Sequence, residues 1–426
     1  MRQHLERTLR SLKYRDFRLY FIGMVVSMTG TWMQIMAQMW LVYRLTRSPF
    51  MLGLVGFAGS APALFLGLFG SIAADRWGRR RLLLATQALC FVQAAVLAAL
   101  TMSGLIQIWH IFVLAFLLGL VTVFDMPARQ AFVADLVDKP DMGNAIALNS
   151  SLLNISRMVG PTLAGFLVSL YGEGVCFLIN AGSYLAVLTS LLLMHGREAA
   201  VPAGATDSPW LYMRRGLSYA FGRPDMGAML VQLSVLSLAG VPFLTLIPVF
   251  ADQVFASGSQ GAGLLMGAMG VGAVAGSLLL ARKESLRGLP ALAGAAGVAF
   301  GAGIVMFSFS GGFWPAAAAM ALVGWSMMTA FAASNTLLQT LAAEEMRGRI
   351  MALFSFTFMG TAPAGNFLIG AAAERLGAPA AVCLGGLVCL ASSWFYFRRM
   401  PMAVPERHPA HGTVPVPEDL GGGLQG

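Results

Sequence analysis

The sequence predicts an all-α membrane protein in which twelve transmembrane helices form two six-helix bundles. Of its 426 residues, 57% are hydrophobic and 11% are charged, and the mean hydropathy is +0.72. Soluble domains carry about 25% charged residues, so a soluble fold is excluded. One membrane crossing takes roughly 20 apolar residues, so twelve crossings leave room for short connections only. The expected partners are therefore the lipid bilayer and small molecules that meet the chain there.

Gly, Pro and charged clusters separate the apolar runs. We expect spans at 19–43, 50–73, 81–102, 108–131, 144–170, 174–194, 226–250, 260–281, 289–310, 314–341, 350–372 and 379–397. The first run is too long for the core of a signal peptide, so it is a retained span.

Lys and Arg residues are concentrated on every second connection between the spans. With the N-terminus inside, 24 of the 28 Lys and Arg residues fall on inside segments, while the outside loops hold only Arg44, Arg47 and Arg375 and one residue, Arg157, lies within a span. This asymmetry predicts that both termini lie in the cytoplasm, and the expected location is the inner membrane of a bacterial cell. The net charge of +9 is scattered in short clusters, so no nucleic-acid partner is expected.

Composition divides the chain into four parts. These are an N-terminal bundle (1–194), a cytoplasmic linker (195–225), a C-terminal bundle (226–397) and a tail (398–426). Within the linker, 210–221 is basic and amphipathic and predicts a helix on the inner membrane surface. The tail is rich in Pro and Gly and is expected to be disordered. Similar stretches at Asp141–Ile146 and Glu345–Ile350, about half a chain apart, indicate parallel repeats.

The connection after the second span reads Ser71-Ile-Ala-Ala-Asp75-Arg76-Trp77-Gly78-Arg79-Arg80-Arg81. It resembles the G-x-x-x-D-R-x-G-R-R signature of the major facilitator superfamily, with Ser71 in place of the first Gly. A basic loop that follows the positive-inside rule explains the arginines but neither Asp75 nor Gly78.

The resemblance implies a cytoplasmic gate latch. Its residues are Asp75, Arg76, Gly78, Arg79 and Arg80. Because a helix N-terminus favours an anion, we expect Asp75 to accept amide hydrogen bonds near 348–350, at the start of the eleventh span. We expect Arg79 to reach Asp125.

The fifth span carries a second resemblance. The stretch Ser156–Gly165 is similar to the G-x-x-x-G-P-x-x-G-G antiporter motif of exporters, and Gly160, Pro161 and Gly165 match it. The alternative is a Pro kink with small residues for helix packing.

Runs such as Gln38–Arg44 look like the enterobactin-exporter-like branch of the superfamily. That branch implies export of a small amphipathic or anionic molecule, such as a siderophore, drug or metabolite.

Polar side chains within the spans are candidates for a cargo cavity. They are Thr31, Gln34, Gln38, Asn154, Arg157, Asn335 and Gln339. Hydrogen bonds between helices are the alternative role. Arg157 stands out because an arginine at the bilayer centre costs about 2.5 to 3.5 kcal/mol. Either it forms a charge pair with Asp125, which is also the best candidate for a proton carrier, or it faces the cavity and binds anionic cargo.

Export driven by the proton gradient explains these features best. A non-transporting receptor or scaffold on the same fold, a lipid flippase and an importer remain alternatives. The five histidines lie at span ends or tails, and no G-x-x-x-x-G-K-[ST] motif occurs, so no catalytic residue is expected. No metal or cofactor is expected either, and the chain is expected to act as a monomer. Periplasmic or outer-membrane export partners stay open.

Overall fold

The computed structural model describes residues 9–194, 209–281 and 287–400, without the side chains of 68–76, 209–212 and 281. Within these residues all regular secondary structure is helical. Twelve helical segments of the described chain are long and apolar enough to cross a membrane. The predicted all-α fold with twelve spans is confirmed.

The first half contains six long helices. They are α1 (Arg15–Thr46), α2 (Pro49–Trp77), α3 (Arg79–Met102), α4 (Ile108–Asp135), α5 (Met142–Tyr171) and α6 (Glu173–Leu193). Turn chemistry sets their limits. The hydroxyl of Ser48 accepts a hydrogen bond from the Met51 amide and caps α2. Gly78 separates α2 from α3 at φ +78°, a conformation that disfavours any residue with a Cβ.

The second half is preceded by the amphipathic helix α7 (Pro209–Phe221), which overlaps the helix predicted for 210–221. Its spans contain α8 (Pro224–Val235), α9 (Gly258–Ala281), α10 (Leu289–Ser308), α11 (Phe313–Leu341), α12 (Glu344–Met359), α13 (Ala362–Leu376) and α14 (Ala378–Arg399). Linker residues 195–208 and tail residues 401–426 lie outside the described part of the chain.

Two spans depart from the continuous helices that the sequence predicts. The seventh continues beyond α8 to Val254 through π-helical turns at Leu236–Gly240 and Phe250–Val254, with a 3-10 segment at Val241–Leu246 between them. Pro242 lies in that segment, and proline removes a backbone donor from the helix. The eleventh span, predicted as 350–372, is divided into α12 and α13 at residues 360–361.

Helix packing reflects the two halves. In the first, α1 packs on α5 and α6, and α2 packs on α4; in the second, α11 packs on α9 and α10. The halves meet where α5 packs on α9 and α2 packs on α13. Small residues make this approach close. A Cβ on Gly53 would lie 2.4 Å from the Asn366 carbonyl oxygen, and one on Gly165 would lie 2.7 Å from the Ser259 carbonyl oxygen.

The bundle has two ends, named here from the chain. The loop-1 end carries the connection between α1 and α2. The terminal end carries the first described residues and the end of α14.

Candidate functional site

A cavity of about 400 Å³ lies between the two halves. Its walls come from α1, α2 and α4 of the first half and from the seventh and eleventh spans of the second. Most of the lining is apolar. The polar side chains on its surface are Gln34, Gln38, Ser60, Thr122 and Thr245. Such a mainly apolar pocket with a few polar groups is typical of small-molecule sites.

The loop-1 end is closed by polar contacts between the halves. Arg47 forms an ion pair with Asp252, and the Tyr43 hydroxyl donates to the same carboxylate at 3.1 Å. The Tyr43 hydroxyl and the Asp252 carboxylate raise the pKa of the Arg47 guanidinium above its ordinary value. Where α13 meets the start of α2, Glu374 accepts hydrogen bonds from the Ser48 hydroxyl at 2.9 Å and the Phe50 amide at 3.1 Å.

A further ion pair at the loop-1 end lies within one half. Arg44 donates to both carboxylate oxygens of Glu173, at 2.7 and 3.0 Å. Both residues belong to the first half, so this pair holds α1 to α6 and does not join the halves.

At the terminal end, the described contacts of the arginine-rich connection stay in the first half. Arg79 pairs with Asp135 at 2.6 Å, so the predicted contact between Arg79 and Asp125 is wrong. Asp135 ends α4, directly beside the start of α3, whereas Asp125 lies nearly three helical turns deeper. Arg80 donates to the Leu191 carbonyl at 2.7 Å and ties α3 to α6. The side chains of Asp75 and Arg76 lie outside the described residues, so their latch stays a prediction.

The N-terminal segment is fastened to the α4–α5 connection at this end. Arg10 and Lys13 pair with Asp141 at 2.8 and 2.6 Å, and the Tyr14 hydroxyl donates to it at 2.8 Å. The Asp141 carboxylate raises the pKa of the Lys13 ammonium. These contacts attach the segment before α1 to the first half.

Asp125 has a different partner from the one that the sequence predicts. It forms a buried ion pair with Arg129, four residues later on α4, and accepts hydrogen bonds from Thr86 and Gln87 at 2.8 Å each. The predicted Asp125–Arg157 pair is therefore wrong. Residues four apart on a helix lie next to each other, so the D-x-x-x-R spacing already contained this contact.

Arg157 has no acidic partner within the described chain. Its guanidinium carbon lies 4.9 Å from the centre of the Trp32 ring, and its Nε atom is buried without a hydrogen-bond partner. Trp32 is seven residues before Met39, which lines the cavity, so both project from the same side of α1. Neither Trp32 nor Arg157 lines the cavity, contrary to the prediction for Arg157; the pair lies about two helical turns from Met39, toward the terminal end.

The remaining predicted cavity residues divide into two groups. Gln34 and Gln38 line the cavity, although the side-chain amide of Gln34 also bonds across helices: its nitrogen donates to Gln93 and its oxygen accepts from Asn180. The other four do not line this cavity, contrary to the prediction. Thr31 bonds to Tyr184 at 3.1 Å, Asn154 is buried, and Gln339 donates to Asn335 at 2.6 Å near the terminal end of α11.

The antiporter-like residues of α5 lie in close helix contacts. A Cβ on Gly160 would lie 2.6 Å from the Thr29 carbonyl oxygen on α1. The Pro161 carbonyl oxygen faces Gly263 of α9, and Gly165 packs against the same helix. This geometry fits the packing role that the sequence left as the alternative.

The sequence missed three polar residues of the cavity, namely Ser60, Thr122 and Thr245. Isolated hydroxyls in spans usually bond to their own backbone, as Thr122 does to the Leu118 carbonyl at 2.8 Å. They gave no spacing pattern. Pro242 and Pro248, which flank Thr245 in the seventh span, are the sequence signal that could have identified it.

Two similar halves around a shared cavity, closed at one end, define a multi-pass membrane transporter of the major facilitator type. The chain belongs to the transmembrane secretion effector family, whose sequence profile matches residues 7–418. The predicted branch of the superfamily is thus confirmed.

Transporters are also among the individual proteins that the chain resembles. It is 25% identical over 395 residues to the staphyloferrin A transporter of Staphylococcus aureus, which covers 90% of this chain and 96% of that protein. It is 26% identical over 347 residues to the enterobactin exporter EntS of Shigella flexneri, over 80% of each chain. The multidrug efflux pump Tap of Mycolicibacterium fortuitum is 22% identical over 84% of this chain and 89% of that one. The nucleoside transporter NupG shares the fold, with a TM-score of 0.71 at 13% identity over 90% of this chain and 98% of that chain.

Proposed function

We propose that the chain is a proton-driven exporter that moves a small amphipathic or anionic molecule out of the cytoplasm by alternating access. The observation that carries this proposal is the cavity between the halves, with its loop-1 end closed by contacts between them. Inside segments hold 24 Lys and Arg residues and outside loops hold three, which supports an orientation in the inner membrane with the terminal end facing the cytoplasm. The names of the enterobactin exporter and the efflux pump among its relatives support the outward direction.

Arg157 is the proposed contact for anionic cargo. A guanidinium within a span is costly unless it has a partner, and within the described chain only the Trp32 ring faces it. An aromatic cargo that carries a carboxylate or an ionised phenol would fit both the Arg157 guanidinium and the Trp32 indole. Its anion binds the guanidinium, and its ring packs on the indole. The cargo would meet this pair on its way from the terminal end to the cavity.

Asp125 is the proposed proton carrier. It is the buried acid nearest the cavity wall of α4, three residues from Thr122. In the ionised state it holds Arg129, Thr86 and Gln87 together. Protonation would cancel the attraction to Arg129 and release contacts between α3 and α4. The proposed latch at Asp75 and Arg76 would close the terminal end when the loop-1 end opens.

A sequence of two experiments tests the proposal. Metabolites in the culture medium of a wild-type strain and a deletion strain identify the exported compound. That compound is then offered to inside-out vesicles that hold the purified protein, with and without a proton gradient. We expect gradient-dependent uptake, which a protonophore abolishes. No flux would favour the receptor or scaffold, movement of lipid alone would favour a flippase, and gradient-driven flux in the opposite direction would favour an importer.

Two variants separate cargo binding from coupling. Arg157→Gln should raise the KM for an anionic cargo, because one charge-assisted contact typically stabilises by about 1.5 to 3 kcal/mol. Asp125→Asn should abolish uphill transport but retain exchange of cargo across the membrane. Thr31→Val is the matched control, since Thr31 lies on α1 but bonds toward α6. An unchanged KM in Arg157→Gln would remove this residue from the cargo site.

The orientation has its own test. Cysteines placed at Ser103 or Ser310, both at the loop-1 end, should react with an impermeant thiol reagent added outside cells, in a background without native cysteines. Lys139→Cys, at the terminal end, should react only after permeabilisation. The reverse pattern would invert the proposed topology.

A further inference from the structure

A second cavity, of about 450 Å³, lies on the opposite face of α4 from the central cavity. The central cavity is lined by Gly119, Thr122 and Val123 of this helix, whereas the second is lined by Leu120, Val121 and Phe124. These two sets project in different directions because successive helical residues turn by about 100°. The second cavity is therefore a groove that faces outward, between α3 and α4, where a membrane-spanning chain meets lipid.

The groove combines an apolar channel with a basic, aromatic mouth. Ala85 and Leu89 of α3 line its length, and Thr86 lies at its floor. At the terminal end, Trp77 and the exposed Arg81 form its mouth, and Trp77 is 63% exposed. Tryptophan and arginine are the residues that favour the polar boundary of a bilayer. From Arg81 to Leu89 the helix rises about 12 Å, a distance that suits much of one acyl chain.

We propose that this groove binds one anionic phospholipid from the leaflet at the terminal end. One acyl chain lies along Ala85 and Leu89, and the headgroup phosphate contacts the Arg81 guanidinium beside the Trp77 indole. On the proposed orientation this is the inner leaflet. The site is separate from the cargo cavity. The bound chain covers Thr86, the residue that donates to Asp125 at 2.8 Å, so the lipid lies one side chain away from the buried ion pair.

Tryptophan quenching by brominated lipids tests the site in the purified full chain. The protein is placed in detergent micelles with rising mole fractions of phosphatidylglycerol or phosphatidylcholine that carry the same acyl-brominated chains. The Trp77 signal is the difference between wild type and Trp77→Phe. We expect phosphatidylglycerol to quench it at about fivefold lower mole fraction, the preference that one basic residue typically gives for an anionic lipid.

Variants then separate the contribution of the headgroup from that of the acyl chain. With Arg81→Gln, the two lipids should quench the Trp77 signal at equal mole fractions. Its matched control is Arg398→Gln, because Arg398 also lies at the terminal end and contacts a tryptophan, Trp394, at 3.8 Å, but does not line the groove. Ala85→Phe should reduce quenching by both lipids, since the ring fills the channel. Val121→Phe narrows it from the other wall and replaces that variant if it fails to fold.

Two results would overturn the proposal. Equal quenching by the two lipids in the wild type would show that the mouth does not recognise an anionic headgroup. Unchanged quenching in a folded variant with a filled groove would show that no chain lies there. Neither measurement involves cargo or transport, so failure here leaves the proposed export function to be judged separately.

Discussion

The buried ion pair of α4 gives the sharpest test of the structure. Arg129→Gln removes the positive partner and leaves the Asp125 carboxyl buried in the bundle without it. Breaking a buried pair from one side costs about 3 to 5 kcal/mol, because the remaining charge stays desolvated. Asp125 keeps its hydrogen bonds from Thr86 and Gln87, so we expect about 3 kcal/mol for this variant. Asp125→Asn leaves the Arg129 guanidinium buried without an anion, beside the Met28 sulfur, and we expect about 4 kcal/mol.

The double variant decides whether these two costs share one origin. Asp125→Asn with Arg129→Gln places two neutral amides where two charges stood, so the sum of the single costs should overestimate its loss by about 2 to 3 kcal/mol. The free energy of unfolding is measured by circular dichroism, as dodecyl maltoside micelles are titrated with SDS. The control cycle joins Asp125→Asn with Arg157→Gln, which should be additive within about 0.5 kcal/mol because these side chains are not partners. Additivity between positions 125 and 129, or coupling between 125 and 157, would refute the assignment.

Three further predictions concern the closed end and the turns. Asp252→Asn should increase labelling of a cysteine at Gln38 by an impermeant reagent from the loop-1 side, while Glu173→Gln, which breaks a pair within one half, should leave that labelling unchanged. Gly53→Ala should also increase it, because the new methyl group meets a backbone oxygen at 2.4 Å and disfavours the closed state; labelling at the wild-type rate would contradict this packing argument. Gly78→Ala should lower the free energy of unfolding by about 1 to 2 kcal/mol, measured by the same SDS titration, since its backbone is left-handed.

The spans were predictable because a membrane crossing depends on length and apolarity, which are local properties of the sequence. Interruptions within spans were harder to place. Pro242 and Pro248 stand in the seventh span and Pro363 follows Gly360 in the eleventh, but proline is tolerated in many membrane helices. Whether a proline lies inside a continuous helix, as in α4 and α5, or beside a break, as between α12 and α13, depends on what neighbouring helices supply to the freed backbone groups.

The candidate site was predictable only in part, because a stripe of polar residues shows which side of a helix is polar but does not show which helix packs against that side. Thr31, Gln34 and Gln38 lie within a narrow arc of α1, as their spacing of three and four requires. The structure gives each a different environment: Thr31 meets Tyr184 of α6, Gln34 bridges two helices at the cavity edge, and Gln38 faces the cavity. Which helix lies beside each turn of α1 is a property of the tertiary structure.

A proline lies between the two members of the ion pair on α4. Pro127 has no N–H, so the helix lacks the hydrogen bond that would run from residue 127 to the Val123 carbonyl. Asp125 and Arg129 lie on either side of Pro127, so their ion pair crosses this weakened turn. Val123 lines the cavity on one side of this turn, while Asp135 holds Arg79 at the far end of the same helix. The turn at Pro127 separates the cavity wall from the contacts of the terminal end. If Asp125 carries the proton, its protonation weakens the ion pair at this turn. Part of α4 near the cavity and part near the terminal end could then move relative to each other about this turn.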